Sequence, residues 1–406
     1  MAVVGIIAEY NPFHRGHAWQ IAEIRSRLGE DTTIVVAMSG NFVQRGDFAS
    51  FSKHARAEMA LLGGADLVIE IPTPWASTTA ERFAQGGVSL LAAAGVTHLA
   101  FGCEVGDLMP LNRTVDALES REFPELLRRK LSEGMSFASA RQAAVSELVG
   151  EVAGCLSLPN NALAVEYLRA LRFCCAKIEP LALPRIGSAH DSAELGVYSS
   201  ASAIRSVLLD GGEWHDLVPA SSAEIMDREM AAGRGPVAMR NCERAVLARL
   251  RSMDEEDFCP YDGGGEGLYR RFYAAVRSCT SVEAILGAAK TKRYPLARLR
   301  RLLLHSYLGL SPAERGDELP YLRVLGANER GRLQLKKLRK SSDLPIITKP
   351  AQVRKLSERP REYFLREAAC TDLYTLAMPK LSCAVPDSEF AQAAVMLGLS
   401  EERTVL

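Results

Sequence analysis

The sequence predicts an α/β protein in which a doubly wound parallel sheet is followed by a mainly α-helical domain. Three observations carry this. Short β-branched or apolar runs alternate with helix-like segments over the first 210 residues. Each run is apolar at nearly every position, as strands covered on both faces must be. Helical periodicity then dominates from Val237 onward. The strand-like runs fall at 3–9 (VVGIIAE), 32–39 (TTIVVAMS), 67–72 (LVIEIP) and 98–103 (HLAFGC), with a weaker fifth at 178–184. A sheet of this kind takes its ligand at the carboxyl ends of the strands, near the switch in strand order. Residues 220–236, rich in small residues with Gly and Pro at their end, suggest a connection. Beyond them, MRNCERAVLARLRSM, EGLYRRFYAAVRSC and LARLRRLLLHSYLGL suggest helices. The expected domains are thus 1–220 and 221–406.

The composition is that of an ordinary globular chain: 406 residues, 48% hydrophobic and 24% charged. Lys plus Arg equals Asp plus Glu at 49 each, so the net charge is zero. This balance is a cancellation. Residues 281–360 hold 18 Lys/Arg against 7 Asp/Glu, a net of +11, and the remainder carries −11. Nine scattered cysteines form no CxxC pair and no zinc-type spacing, which fits free thiols in a reducing cytoplasm. No signal-peptide pattern follows Met1. The longest uncharged stretch, 83–103, holds Gly86, Gly87 and Gly95 and fits a helix, turn and strand rather than a membrane span.

The segment 6–24, IIAEYNPFHRGHAWQIAEI, carries the most chemistry. A strand enters a loop with Asn11, Pro12 and His14, and a helix opens near Gly16 and His17. Backbone N–H groups at a helix start favour a phosphate. Gly16 permits close approach, and His14 and His17 can hydrogen-bond phosphate oxygens as charge develops on a pyrophosphate leaving group.

HRGH at 14–17 resembles the HxGH signature of the nucleotidyltransferase superfamily, and SSASAIR at 199–205 resembles its second signature. With EYNPFHRGH, MSGNFVQRGD (38–47), FGCE (101–104), PNNALAVEYLRAL (159–171), RIG (185–187), PLARLRR (295–301) and YLRVLGANERGR (321–332), nearly the whole chain is similar to the bacterial tRNA(Met) cytidine acetate ligase family. The resemblance implies a nucleotidyltransferase-like Rossmann domain and an enzyme that activates acetate with ATP. Pyrophosphate leaves, and acetyl passes from acetyl-adenylate to N4 of the wobble cytidine of elongator tRNA(Met). It implies catalytic roles for His14, His17 and Arg205. ATP would lie along Ile7, Ala8, Glu9, Tyr10, Asn11, Pro12, Phe13, His14, Arg15, Gly16, His17, Ala18, Trp19 and Gln20, with contacts from Gly102, Asn160 or Asn161, and Arg185. Mg²⁺ would be held through the phosphates. Departures are Gln20 and Cys103, where typical members carry His and Ser, and a segment after Arg185 that is one residue short.

Other residues have readings that follow from their type and place. Ser199, Ser200 and Ser202 suit helix N-capping and, with Arg205, the β and γ phosphates. Asn41 and Arg45 are candidates for holding acetate or cytosine, with Glu9 and Gln44 alongside. Lys53, His54 and Arg56 suggest a solvated helix face. His98, His215 and His305 suggest structural roles, and Cys103 suggests packing. The cluster Lys292, Arg293, Arg298, Arg300, Arg301, Arg330, Arg332, Lys336, Lys337, Arg339 and Lys340 suggests an RNA-binding surface. Competing readings are a small-molecule adenylyltransferase of the phosphopantetheine or nicotinamide mononucleotide type, an acetate-activating ligase with a protein thiol acceptor, and a non-catalytic RNA-binding protein.

Overall fold

The computed structural model describes residues 2–175, 177–184, 199–262 and 267–398. Strand β1 (Val3–Ala8) leads into α1 (Arg15–Leu28) and β2 (Thr33–Ser39). A hairpin of β3 (Phe42–Val43) and β4 (Asp47–Phe48) precedes α2 (Lys53–Leu62) and β5 (Leu67–Ile71). Helices α3 (Thr73–Ala76) and α4 (Ala80–Ala93) return the chain to β6 (His98–Cys103). Helices α5 (Leu108–Glu119), α6 (Phe123–Ser132), α7 (Phe137–Val149) and α8 (Pro159–Phe173) then precede β7 (Glu179–Pro184). The parallel strands lie in the order β5-β2-β1-β6-β7, so the winding reverses between β1 and β6. This is the doubly wound sheet that the five runs predict.

The apolar runs follow from burial on both faces. Val3 and Ile7 of β1 enter one core, with α4, α5 and α8, while Val4, Ile6 and Ala8 enter the other, with α1 and α2. Side chains alternate along a strand, so covering both faces leaves no position for a polar residue.

The second half departs from the expected division at 220. Residues 220–231 are not a connection but helix α10 (Ala220–Ala231), which packs on α2. Its small residues Ser222 and Ala223 are buried, and small side chains permit that close approach. A helical unit follows, with α11 (Glu243–Arg251), α12 (Cys259–Asp262), α13 (Leu268–Ser278), α14 (Val282–Ala289) and α15 (Leu296–Leu308) around a further core, which Phe42 and Phe48 of the hairpin and the later Cys370 and Tyr374 also enter. The chain then returns to the sheet. Strand β8 (Leu322–Ala327) pairs antiparallel with β5, and after α16 (Glu329–Ser341), β9 (Ile346–Ile347) joins β8. Beyond α17 (Glu358–Thr375) and the short α18 (Ser388–Ala391), β10 (Val395–Met396) forms the edge. The described residues beyond 220 are therefore a helical unit followed by strands of the first sheet. Among the described residues, no single helix is long and apolar enough to cross a membrane.

Lys53, His54 and Arg56 are not a solvated face; all three are buried. Lys53 Nζ lies 2.8 Å from Glu70 and 2.9 Å from Glu389, and Arg323 of β8 reaches Glu389 at 3.3 Å. Arg56 donates to the carbonyls of Glu9, Ser39, Gly40 and Phe51, which braces the ends of β1 and β2. Burial pushes the His54 imidazole down to about 3, so it is neutral. The cations lie inside because carboxylates from β5 and α18 meet them there, and breaking such a pair from one side costs roughly 3–5 kcal/mol.

One carboxyl of this cluster has a testable pH signature. Burial pushes Glu367 up to about 8, reinforced by Glu70 and opposed by Lys53, while its oxygens accept from the Thr73 N–H and hydroxyl at 2.8 Å. Between the ordinary value of 4.5 and 8, the folded state holds a proton that the unfolded chain has lost. Stability from this group therefore falls as pH rises through that window and levels off above it. Glu367→Gln is expected to flatten that decline, which denaturant unfolding at pH 5 to 9 would measure; an unchanged profile would refute the assignment.

Candidate active site

The site forms where the strand order reverses. The turn out of β1 passes through Tyr10 at φ 44°, and the chain enters α1 with His14 as its N-cap. The Gly16 N–H donates to His14 Nδ1 at 3.1 Å, and the His14 N–H donates to His17 Nδ1 at 3.2 Å. Two backbone donors of the helix start are thereby satisfied. Because each Nδ1 is an acceptor, each neutral ring carries its proton on Nε2, which is then the donor atom of the ring. The rings stack with centroids 3.7 Å apart. Gly16 leaves room for this stack: a Cβ there would sit 3.0 Å from His14 Cε1, and the ring would have to shift by a few tenths of an ångström to admit it.

Tyr10 and Phe13 are buried side chains that back the His17 ring, at centroid distances of 4.6 and 5.6 Å. Only their backbone can face a nucleotide. Asn11 is also buried, its Oδ1 accepting from the Ser50 N–H at 2.8 Å. Ile7, Ala8 and Pro12 are likewise buried, while Arg15 is exposed and Ala18, Trp19 and Gln20 are half-buried along α1.

From the far side of the sequence, α9 (Ala201–Leu209) completes the site. Ser200 is its N-cap, accepting from the Ala203 N–H at 3.2 Å, and Ser199 and Ser200 are buried, as Ser202 is not. One turn later, Arg205 donates to the Asn11 carbonyl at 2.9 Å, which joins the two segments 194 residues apart. Burial pulls its guanidinium down from the ordinary value; Glu9 and Asp47 oppose this, while Arg45 and Arg300 add like charge. Arg205 therefore feels charged groups drawn from the end of β1, the hairpin and α15.

Gly102, at the carboxyl end of β6, has nothing within 4 Å of where a Cβ would stand, so the strand presents bare backbone to the crevice. Neither Asn160 nor Asn161 is an N-cap. Leu158 holds that position, and the Glu104 carboxylate accepts from both asparagine N–H groups instead. Asn161 is fully buried, its Oδ1 accepting from the Glu104 and Val105 N–H groups while its Nδ2 has no partner among the described residues. An orphaned buried amide beside Gly102 fits a ligand acceptor there. Arg185 lies outside the described residues.

Asn41 does not offer its amide to a ligand. It is buried, donates to Thr371 at 3.2 Å and accepts from the Lys53 N–H at 3.0 Å. Glu9 accepts from the Gln44 N–H at 2.8 Å, and Gln44 donates to the Thr78 carbonyl, so the hairpin tip is tied over the site. Gly46, at φ +77°, presses that tip on α15, where a Cβ would lie 2.5 Å from the Arg301 nitrogen. Arg45, at the tip, is exposed.

The remaining histidines and cysteines have structural surroundings. His305 is buried against the Ser77 hydroxyl at 3.0 Å, and burial pushes it down to about 4. His98 faces Thr97 and Glu179, and His215 faces Asp227. Cys103 is buried, which pushes its thiol up and away from a nucleophile's range. Among the described residues, no group of three or more His, Cys, Asp or Glu is arranged to hold a metal ion.

The basic region is not one surface. Lys292, Arg293, Arg298, Arg300 and Arg301 lie on or just before α15, beside the hairpin and the site. Of these, Arg298 pairs with Asp262 at 3.2 Å, and burial pulls Arg301 down to about 10, so both are partly structural. Arg330, Arg332, Lys336, Lys337, Arg339 and Lys340 belong to α16, which meets the chain just before β2, β5 and β6. Arg330 donates to the Glu30 carbonyl, the Asn328 N–H to Asp66 and Gln334 to Ala94. Those are amino ends of strands, the edge opposite the nucleotide loop. Sequence spacing could not separate the two groups, because β8 reverses the chain between them.

The HIGH nucleotidyl transferase family matches residues 1–387. The tRNA(Met) cytidine acetate ligase of Syntrophomonas wolfei is 36% identical over 414 residues, covering 97% of this chain and 99% of that protein. That of Caldanaerobacter subterraneus is 38% identical over 387 residues, covering 93% and 96%. A crystal structure of Thermotoga maritima TmcAL bound with alpha-thio ATP superposes with a TM-score of 0.91 at 32% identity, covering 98% of this chain and 100% of that one.

Proposed function

Since the chain belongs to the tRNA(Met) cytidine acetate ligase family of HIGH nucleotidyl transferases, we infer that it joins acetate to elongator tRNA(Met) at the expense of ATP, giving N4-acetylcytidine at the wobble position. The observation that carries this is the stacked His14–His17 pair at the start of α1, locked to Arg205 of α9 at the reversal of the sheet.

In the first step an acetate oxygen attacks the α-phosphorus of ATP, the bond to the β-phosphate oxygen breaks, and pyrophosphate leaves. His14 and His17 donate through Nε2 to phosphate oxygens, and Arg205 supplies a permanent positive charge. Ser199, Ser200 and the start of α9 receive the outer phosphates. Gly102 and Asn161 border the nucleoside, and Arg185 serves a phosphate or the acetate carboxylate. A Mg²⁺ ion bound through the phosphates would add charge neutralisation. In the second step the cytosine N4 amine attacks the acetyl carbonyl carbon, the bond to the AMP oxygen breaks, and the amine proton passes to solvent. The hairpin with Gln44 and Arg45 and the cations of α15 flank the path by which an unstacked loop base enters. The reaction takes place in the cytoplasm, where its tRNA is.

The decisive experiment supplies ATP and labelled acetate with and without tRNA. Acetyl-AMP without tRNA, and acetylated cytidine in elongator tRNA(Met) with it, are expected. Failure to form either product would overturn the assignment and favour a small-molecule adenylyltransferase or a different acyl acceptor.

A further inference from the structure

The cations of α16 face away from the site, and nothing in the reaction uses them. Arg332, Lys336, Lys337, Arg339 and Lys340 are all exposed, and among the described residues none is within ion-pair distance of a carboxylate. Only Arg330 has one, Asp31, at 3.9 Å. Beside them, a cleft of about 480 Å³ runs between α16 and the start of β2, lined by Arg330, Lys336, Lys337 and Lys340 with the exposed Leu333 and, from the β2 side, by Asp31 and Thr33, so four cations meet one carboxylate there. A solvated helix face usually carries carboxylates three or four residues from its cations. Beyond Glu329, this one has none.

We propose that α16 is a second phosphate-binding track for the tRNA, engaging its backbone outside the anticodon loop while α15 and the hairpin meet the loop itself. The proposal rests on the tRNA reading of the active site. Two dimensions favour a polymer. Arg330 to Lys340 extends about 15 Å along the helix axis, more than one phosphate group occupies. Helix α1 spans the distance from the His14 end of the site to the loop that α16 touches, about 21 Å for 14 residues. A single small anion cannot fill both places, whereas the repeating charge of an RNA stem can. The rest of the chain is net −11 outside residues 281–360, so the excess positive charge that would orient RNA is concentrated in the region holding α15 and α16.

The test is Lys336→Gln/Lys337→Gln/Lys340→Gln, which keeps the aliphatic stems and helix preference. Binding of whole elongator tRNA(Met) and of its isolated anticodon arm is titrated against salt, alongside tRNA-independent acetyl-AMP formation. The variant is expected to bind whole tRNA on the order of tenfold more weakly, with a salt slope lower by about 2 to 3. Affinity for the anticodon arm and acetyl-AMP formation should be unchanged. Equal weakening toward both RNAs, or no weakening toward either, would overturn the proposal, as would a changed oligomeric state in light scattering. A wild-type protein that makes no acetyl-AMP yet loses whole-tRNA binding in the variant would refute the activity and support the track.

Discussion

His17→Ala is expected to lower acetyl-AMP formation by roughly 10² to 10³, the usual effect of removing one fixed donor from a developing phosphate charge. The loss should fall on kcat rather than on KM for ATP, because the charge that Nε2 meets grows as pyrophosphate departs. The ring also has a structural task, since it accepts the His14 N–H at 3.2 Å and packs on Tyr10. Losing that cap costs about 1 kcal/mol, too little to unfold the protein. His17→Asn separates the two tasks by offering an acceptor to the His14 N–H without an imidazole donor at the phosphates. Both variants should retain near-native thermal unfolding and both should be slow. An Asn variant with wild-type adenylation would show that capping is all that His17 does.

Lys292→Gln/Arg293→Gln is expected to raise KM for tRNA about tenfold and leave acetyl-AMP formation unchanged, the reverse pattern. Both residues are exposed just before α15, unlike Arg298 and Arg301, whose loss would disturb the Asp262 pair or the support of the hairpin. Two contacts fewer should reduce the dependence of transfer on log[salt] by close to 2. Transfer kinetics over a range of KCl, with single-turnover adenylation as the control, checks this. A normal salt slope with normal transfer would move the tRNA to another surface.

The five parallel strands were legible because burial on both faces leaves an unbroken apolar run in each. The nucleotide loop was legible because HRGH places two rings and a glycine at a helix start, where the structure uses all three. Strand β8 was missed because Arg323 interrupts its apolar run, and that guanidinium is buried only because Glu389, 66 residues later, meets it. The same holds for Lys53, whose partner Glu70 is on a neighbouring strand. A charge read along one helix predicts solvent; the carboxylate that draws it inside belongs to another element. Arg205 was recognisable from its motif, but its tie to Asn11 and its closeness to Arg45 and Arg300 depend on how the hairpin and α15 fold over the site.

The return of β8, β9 and β10 to the sheet has a consequence for synthesis. On the ribosome, β5 emerges with one edge unpaired and keeps it through some 250 further residues, until its antiparallel neighbour is made. Helices α11 to α15, made earlier, can begin to collapse on local contacts, whereas the sheet must wait for a pairing of long sequence separation. A nascent chain halted before Leu322 would expose an apolar strand edge and two buried charges, Lys53 and Glu70, still lacking Glu389 and Arg323. Such an edge invites pairing with another chain. Truncation from the carboxyl end should therefore yield aggregation rather than a smaller active enzyme, even though every residue assigned to ATP lies within the first 205.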